Sequence, residues 1–318
     1  MLDVDVKLVS TTNRWSPTKH LSINGGSIIK RSSTFRDAPG YWEENSEGWP
    51  FNVIGEYHAK DDWRDLELGE LAAVNGITDG ADLANTIQIF KIPNALYEAG
   101  NALAQRSLEA RETIINATDC DCVVNRPLIP LLERVQEWLF STICDPIKWT
   151  IPEIRITPRG RMSSTGYEGC GWNGLHVDHW GGSTSLQTRR SYNGSRFVIN
   201  MGASTRHFIF INLRVGTILN RHLSIAPTVL ETVADSARAT GIVAGAFIEA
   251  FPDYPVLRVS LPPGIGYLAP TISVPHDGYL VGMNEPDIAL LLPHMVGEEE
   301  QPTSTLSFKD IWAHRCGM

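Results

Sequence analysis

Apolar residues recur at helical spacing in two stretches of the first half of the chain. The first stretch begins at Asn94, a candidate N-cap, and the second runs from Pro127 to about Phe140. The apolar positions are Leu96, Ala99, Leu103, Ala110 and Ile114 in the first, and Leu128, Leu131, Leu132, Val135, Trp138 and Leu139 in the second. This pattern predicts a layer of helices over residues 93–145.

From about residue 150 the pattern changes to short apolar runs of the kind that form β-strands. The predicted strands are Ile154–Ile156, Leu175–Trp180, Arg196–Met201, His207–Leu213, Val256–Leu261, Gly266–Ala269, Tyr279–Gly282 and Ile288–Leu292. One helical stretch, about Thr228–Phe251 with an interruption near Gly241, is predicted as an insertion between strands. Many short strands at this spacing are typical of a barrel or sandwich, so residues 150–295 predict the β-core of an α+β fold.

The two ends of the chain carry weaker patterns. Residues 1–92 are irregular and rich in aromatic residues, with frequent Gly and Pro. We expect short strands and loops there that pack on the core, because a segment this aromatic is not typical of a disordered tail. Residues 296–318 are predicted to form a C-terminal tail, and the whole chain, 1–318, is expected to be a single domain.

Composition narrows the range of partners and compartments. The formal net charge is −9 and there is no Lys/Arg cluster, which disfavours nucleic acid and favours a small-molecule partner. Five cysteines are few and odd in number, so we expect no disulfide framework and a cytoplasmic location. The chain has no apolar run of about eighteen residues and no signal-peptide pattern, so no membrane contact is expected.

The chemistry is concentrated in the segment Trp172-Asn173-Gly174-Leu175-His176-Val177-Asp178. Residues i and i+2 of a strand point to the same face, so His176 and Asp178 can aim an imidazole and a carboxylate at one point. His276, just before an apolar run, is the candidate third ligand from another strand. Two His and one carboxylate form the facial triad of non-haem Fe(II) oxygenases, which leaves coordination positions open.

Other ligand sets remain open at this stage. His222 or His207 can replace His276 as the third ligand, and His179 completes a His-x-Asp-His pattern that also occurs in zinc hydrolases. The pair of His176 and Asp178 can also be an ordinary polar pair at a strand end.

These motifs resemble the Fe(II)/2-oxoglutarate-dependent oxygenase superfamily. The resemblance rests on His176-Val177-Asp178, on His276 placed 98 residues after Asp178, and on the segment 262–270 ahead of it. It implies a double-stranded β-helix (jelly-roll) core, Fe(II) bound by the triad, and 2-oxoglutarate and dioxygen as co-substrates. It also implies oxidation of the substrate, most often by hydroxylation. The chain length, the lack of nucleic-acid features and the aromatic N-terminal segment suggest that the substrate is a small metabolite in specialised-metabolite biosynthesis. The carboxylate at Asp178 argues against the halogenase variant, which leaves that position open.

The chain departs from the superfamily at the anchor for 2-oxoglutarate. Many members carry an Arg on the last core strand, but residues 277–305 contain no Arg or Lys. Other branches place the cation on an earlier strand, which makes Arg206 the candidate, with Asn212 as an added donor on the same strand face. Arg258 and Arg196 are the alternative cations.

Three other functions stay open because of this departure and the shortness of the motif. They are an Fe(II) oxidase of similar fold that does not use 2-oxoglutarate, a zinc hydrolase, and a non-catalytic β-barrel binding module.

Overall fold

The computed structural model describes residues 4–31, 55–76, 85–113, 128–142, 148–149, 153–157, 163, 166–167, 172–178, 193–223 and 238–296. The five cysteines lie outside these ranges, so the expectation about disulfides concerns residues that the structure does not describe. Among the described residues, no helix combines the length and the apolar character needed to cross a lipid bilayer.

The first half of the chain contains short strands followed by two long helices. The strands are β1 (Lys7–Ser10), β2 (Leu21–Ile23), β3 (Ser27–Arg31), β4 (Gly55–Ala59), β5 (Arg64–Asp65), β6 (Thr86–Lys91) and β7 (Lys148–Trp149). The helices are α1 (Pro17–His20), α2 (Leu68–Val74), α3 (Asn94–Thr113) and α4 (Leu128–Thr142). The two predicted helices correspond to α3 and α4, although Ile114 lies outside the described residues.

The second half is dominated by strands. These are β8 (Glu153–Thr157), β9 (Gly166–Tyr167), β10 (Trp172–Gly174), β11 (Asn193–Asn200), β12 (Arg206–Phe210), β13 (Leu257–Leu261), β14 (Ile265–Ala269), β15 (His276–Tyr279) and β16 (Asp287–Val296). Between β12 and β13 lie α5 (Val215–Thr217), a π-helical segment (Ile218–Leu223) and α6 (Arg238–Ala250).

The strands form three sheets. A seven-stranded sheet has the order β1-β6-β14-β11-β16-β7, with β8 also paired to β16. A five-stranded sheet has the order β15-β12-β13-β2-β5, and a four-stranded sheet has the order β3-β4-β10-β9. The two smaller sheets meet at an antiparallel bridge between His176 and His276. Predicted site residues therefore lie where the chain that leaves β10 meets β15, the edge strand of the five-stranded sheet.

The core lies between the seven-stranded and the five-stranded sheets. One face of each sheet contributes alternate residues to a single buried cluster, among them Val198, Tyr267 and Leu291 from one and Phe208 and Phe210 from the other. This alternation follows from the pleat of a strand, in which successive side chains point to opposite faces.

The opposite faces of both sheets are covered by helices. Phe197 and Ile199 of β11 pack in a cluster with Leu131 and Val135 of α4 and with residues of α3. Ile209 of β12 packs in another cluster with residues of α6 such as Phe247. Both faces of β11 and β12 therefore pack on apolar groups, which explains why each strand contains three consecutive apolar residues, Phe197–Ile199 in β11 and Phe208–Phe210 in β12.

Most of the predicted strands are found, with shifted ends. The strand predicted over Tyr279–Gly282 is β15 and begins three residues earlier, at His276, while Gly282 adopts a turn conformation with φ +80°. The strand predicted from Leu175 is not formed over the described residues 175–178: β10 ends at Gly174, and His176 makes an isolated bridge instead. In β15, polar His276 and Asp277 occupy strand positions, where an apolar pattern does not reveal them.

The helical insertion is also found, but its predicted interruption near Gly241 is wrong. Helix α6 is continuous through that residue, and residues 228–237 lie outside the described ranges. Gly inside a helix costs roughly 1 kcal/mol relative to Ala. Val243, Phe247 and Ile248 of α6 are buried in the cluster under the five-stranded sheet, and this packing outweighs that cost.

The N-terminal segment contributes strands to the sheets. Strands β1 and β6 extend the seven-stranded sheet through β14, and β2 and β5 extend the five-stranded sheet through β13. The aromatic residues Trp15 and Tyr57 are buried, as expected for a segment that packs on the core.

Candidate metal centre

Backbone hydrogen bonds hold the three predicted ligand residues together. His176 and His276 face each other across the antiparallel bridge. The His176 amide N is 3.0 Å from the His276 carbonyl O, and the His276 amide N is 2.7 Å from the His176 carbonyl O. The Asp178 amide donates to the Thr271 carbonyl at 3.0 Å. His176 is thus bonded to His276, the first residue of β15, and Asp178 is bonded to Thr271 just before that strand. Two distant parts of the chain therefore converge on one point.

Both imidazoles are held in the same tautomer. Nδ1 of His176 lies 2.8 Å from the carbonyl oxygen of Gly174, and Nδ1 of His276 lies 3.0 Å from that of Val274. A carbonyl oxygen only accepts, so Nδ1 carries a proton in each ring, and in the neutral form of such a ring the lone pair is on Nε2. Such a backbone partner is the usual way in which a protein orients a metal-binding histidine.

The candidate ligand atoms of the three residues lie close together. One ligand atom from each of His176, Asp178 and His276 lies within 4.8 Å of the other two, the one such group among the described residues. Nε2 of His176 is 3.4 Å from Oδ1 of Asp178, and Nε2 of His276 is 3.7 Å from Oδ2. Oδ2 is buried and has no hydrogen-bond partner with acceptable geometry among the described residues. A buried carboxylate oxygen facing two imidazole lone pairs fits a divalent cation.

Burial sets the protonation of the site. It lowers the pKa of His276 to about 3, although the Asp178 carboxylate opposes the shift. Burial by itself would raise the pKa of the Asp178 carboxyl, but Arg196 and the two imidazoles outweigh it and hold that pKa well below its usual range. At neutral pH the site therefore presents a neutral His276 and an ionised Asp178, which are the forms that bind metal.

Arg206 lies on the predicted face but has a partner of its own. It shares the interior face of β12 with Phe208 and Phe210, as the period of two predicts. Its Nη1 donates to Oδ2 of Asp287, and both side chains are buried. Nε of Arg206 and Oδ1 of Asp287 have no hydrogen-bond partner among the described residues.

Two of the predicted co-substrate residues do not point towards the metal group. The Asn212 amide exchanges two hydrogen bonds with the backbone of Val6, at 2.8 Å and 3.0 Å. Arg258 donates to Ser22 and lies 4.3 Å above the ring of Trp63, on the outer face of its sheet. Asn212 follows the end of β12, where the period of two no longer holds. Arg258 points to the face of β13 opposite to that of its neighbours Leu257 and Val259, which lie in the core.

The structure places only one of the three alternative metal-ligand side chains, that of His207. His207 lies beside Ser260 at 3.1 Å, outside the triad, and burial lowers its pKa to about 4. The backbone of His222 is in the π-helical segment, while its side chain is outside the described set. His179 also lies outside the described residues, so the His-x-Asp-His alternative concerns a residue that the structure does not place.

Gly174 supports the site in a way that the sequence interpretation missed. It has φ +90°, and a Cβ at this position would overlap the carbonyl oxygen of Tyr57. Its own carbonyl orients His176. The sequence signal for this role is a glycine two residues before a candidate ligand, because glycine tolerates the positive φ that this position requires.

We therefore expect Gly174→Ala to damage the site. A side chain at this positive φ costs about 1–3 kcal/mol and displaces the carbonyl that orients His176. Metal affinity, measured by calorimetry, should fall together with the melting temperature. Gly69→Ala is the matched control, because nothing lies within 4 Å of the added Cβ and Gly69 is in a helix. Unchanged metal affinity in Gly174→Ala would show that the Gly174 carbonyl does not orient the ligand.

Comparison with known proteins gives a structural likeness without a sequence relative. No protein-family model and no curated protein matches the chain. Crystal structures of the Kdo hydroxylase KdoO, a non-heme Fe(II) alphaketoglutarate dependent dioxygenase, are similar over 67% of this chain and 80% of theirs. The complex with alphaketoglutarate and Fe(III) has 14% identity and a TM-score of 0.42. The corresponding values are 12% and 0.41 with succinate and Fe(III), and 13% and 0.42 with cobalt(II). At this level of similarity, the site residues are judged on their own geometry.

Proposed function

We propose that this chain is an Fe(II)/2-oxoglutarate-dependent oxygenase that oxidises a small molecule, and that the oxidation is a hydroxylation. One observation carries the proposal. His176, Asp178 and His276 form a buried group in which both Nε2 atoms face a carboxylate whose Oδ2 accepts no hydrogen bond from the described residues. The substrate is proposed to be a small metabolite, in line with a biosynthetic role in specialised metabolism.

The order of the core strands supports a jelly-roll for this function. Strands β8-β16-β11-β14 form one set of neighbours, and β15-β12-β13 belong to the other. We infer that β10 completes this second set, because the chain just after β10 bridges to β15 through His176 and His276. Eight strands in two facing sets are the arrangement of a double-stranded β-helix. The pairing of N-terminal strands with both sets supports a single domain over 1–318.

The residues around the triad prepare it for this chemistry. The backbone carbonyls of Gly174 and Val274 hold each Nδ1–H, so the Nε2 atoms stay directed at the metal position. The Phe208 ring, whose centroid is 5.8 Å from that of His276, places an apolar surface beside this imidazole. Fe(II) bound by three protein ligands would supply redox chemistry with coordination positions left for dioxygen and a co-substrate.

Arg206 remains the proposed anchor for the distal carboxylate of 2-oxoglutarate. It is buried on the interior face, and its Nε–H has no partner among the described residues. A buried carboxylate requires such a donor, because leaving it unpaired costs several kcal/mol. In this proposal, Arg206 shares its guanidinium between Asp287 and the ligand.

The same pair favours a second candidate, an Fe(II) oxidase of similar fold that does not use 2-oxoglutarate. Asp287 already compensates the charge of Arg206, which makes this position less suited to a further carboxylate.

Metal reconstitution tests both candidates. The metal-stripped protein is titrated anaerobically with Fe(II), and the loaded protein is titrated with 2-oxoglutarate by calorimetry. We expect one Fe(II) per chain and one 2-oxoglutarate per metal, with no 2-oxoglutarate binding to the stripped protein. Fe(II) binding without 2-oxoglutarate binding would favour the second candidate. Tight zinc with hydrolytic activity would overturn the oxygenase, and absence of any divalent metal binding would leave a non-catalytic module.

A further inference from the structure

Arg196 lies inside the core next to the metal group. It belongs to β11, where it is opposite Ala269 of β14 and Pro293 of β16. It has the same phase as Val198, which is buried between the two sheets, while Phe197 faces the helices. The long Arg196 side chain therefore points into the interior that also contains the triad.

Its contact with Asp178 is an ion pair without a directed hydrogen bond. Nη2 of Arg196 is 3.0 Å from Oδ2 of Asp178, yet that oxygen has no partner with hydrogen-bond geometry among the described residues. The Arg196 side chain is also 22% exposed, whereas that of Asp178 is 8% exposed. Arg196 is thus held by charge, and part of its side chain remains accessible to solvent.

Arg206 differs from Arg196 in its exposure and in its carboxylate partner. Its side chain is 6% exposed and pairs with Asp287, which is 2% exposed. Asp287 is not part of the triad, so the pair of Arg206 and Asp287 stays neutral whether or not a metal is bound. The charge of Arg196, by contrast, is balanced by a carboxylate that a metal would also use.

We propose that Arg196 binds the carboxylate group by which a 2-oxo acid attaches to the metal. The inference rests on the proposed function and adds a specific residue to it. A divalent cation that takes the charge of Asp178 leaves Arg196 without a counter-charge beside the metal, and an anionic ligand restores the balance. The planar guanidinium suits a carboxylate because it offers two parallel donors. The guanidinium is already in contact with one metal-binding carboxylate, so a second carboxylate on the same metal lies next to it.

Two ligands distinguish this role from that of a distal anchor. Pyruvate and 2-oxoglutarate share the 2-oxo carboxylate, but only 2-oxoglutarate has a distal carboxylate. A residue that binds the shared group affects both acids, whereas a distal anchor affects only 2-oxoglutarate.

The experiment measures binding to the full chain loaded with Mn(II), so that turnover does not contribute. Calorimetry gives the Kd of each acid for wild type, Arg196→Met and Arg196→Gln. We expect both variants to weaken both acids by a similar factor, on the order of tenfold or more for a lost charge-assisted contact. Arg258→Met is the matched control and should leave both Kd values unchanged, because Arg258 lies on the outer face.

Each outcome decides between the alternatives. If wild type binds neither acid, the proposed function fails and the inference fails with it. If wild type binds both acids and the Arg196 variants bind them equally well, only the inference is overturned. Selective loss of 2-oxoglutarate would make Arg196 a distal anchor and overturn the assignment. Loss of Mn(II) affinity in both variants would also overturn it, because Arg196 would then act through Asp178.

Discussion

Asp178→Ala is expected to abolish divalent-metal binding and turnover while leaving the protein folded. The substitution removes the one carboxylate of the group and leaves the two imidazoles of His176 and His276. Loss of an outer-shell partner alone costs about 10–100-fold in metal affinity, so loss of a ligand should exceed roughly 100-fold. The fold should survive because Arg196, which loses its counter-charge, is 22% exposed and retains access to solvent.

The measurement is metal titration by calorimetry together with a thermal melt of the metal-free protein. Asp65→Ala provides the control, since Asp65 is an exposed acid on β5 far from the triad in sequence. The control should bind metal as wild type does. The triad is misassigned if Asp178→Ala retains its metal affinity while His222→Ala loses it.

Much of this centre was predictable from local spacing. His176 and Asp178 are two residues apart, and the period of two of an extended chain predicts that they share a face, although β10 itself ends at Gly174. Their convergence with His276 was a hypothesis at that stage, because the hydrogen bonds of the bridge join residues that are 100 positions apart in sequence. Sequence periodicity predicts which face a residue occupies but carries no information about which strands become neighbours.

The charged partners around the site were not predictable for the same reason. Arg206 was correctly placed on an interior face, but Asp287, 81 residues later, was not recognised as its partner. Asp287 begins a strand whose alternate residues Ala289 and Leu291 face the core, and this phase was a usable signal that it is buried. The contact of Arg196 with Asp178 depends on the register between strands, which only the folded structure provides.

The assignment of Arg258 shows how phase decides between candidate residues. Arg258 and Arg206 both lie on predicted strands, and composition does not distinguish them. In the sheet, Arg258 is opposite Ile209, which packs against the outer helix, whereas Arg206 is in phase with Phe208 of the core. Counting the phase from the most apolar neighbours would have excluded Arg258 before the structure was known.

Arg206→Met is expected to lower the free energy of unfolding by about 3–5 kcal/mol, the usual cost of removing one partner of a buried ion pair. The large effect arises because Asp287 would remain buried without a counter-charge, and its Oδ1 already lacks a partner among the described residues. Lys60→Met is the matched control. Lys60 pairs with Asp253 at the surface, where that acid is 86% exposed, so its loss should cost less than about 1 kcal/mol.

The double variant Arg206→Met/Asp287→Leu should regain most of the lost stability, because apolar side chains of similar size replace a buried ion pair at little cost. Urea unfolding measures all three variants, and an unchanged m-value would show that the same surface is exposed on unfolding. A double variant as unstable as Arg206→Met would contradict the charge explanation and point to packing instead.

The stable double variant also lacks the proposed distal anchor in a folded protein. Its affinity for 2-oxoglutarate therefore tests the anchoring role of Arg206 separately from its role in stability, with a rise in Kd of about tenfold expected if Arg206 holds the distal carboxylate.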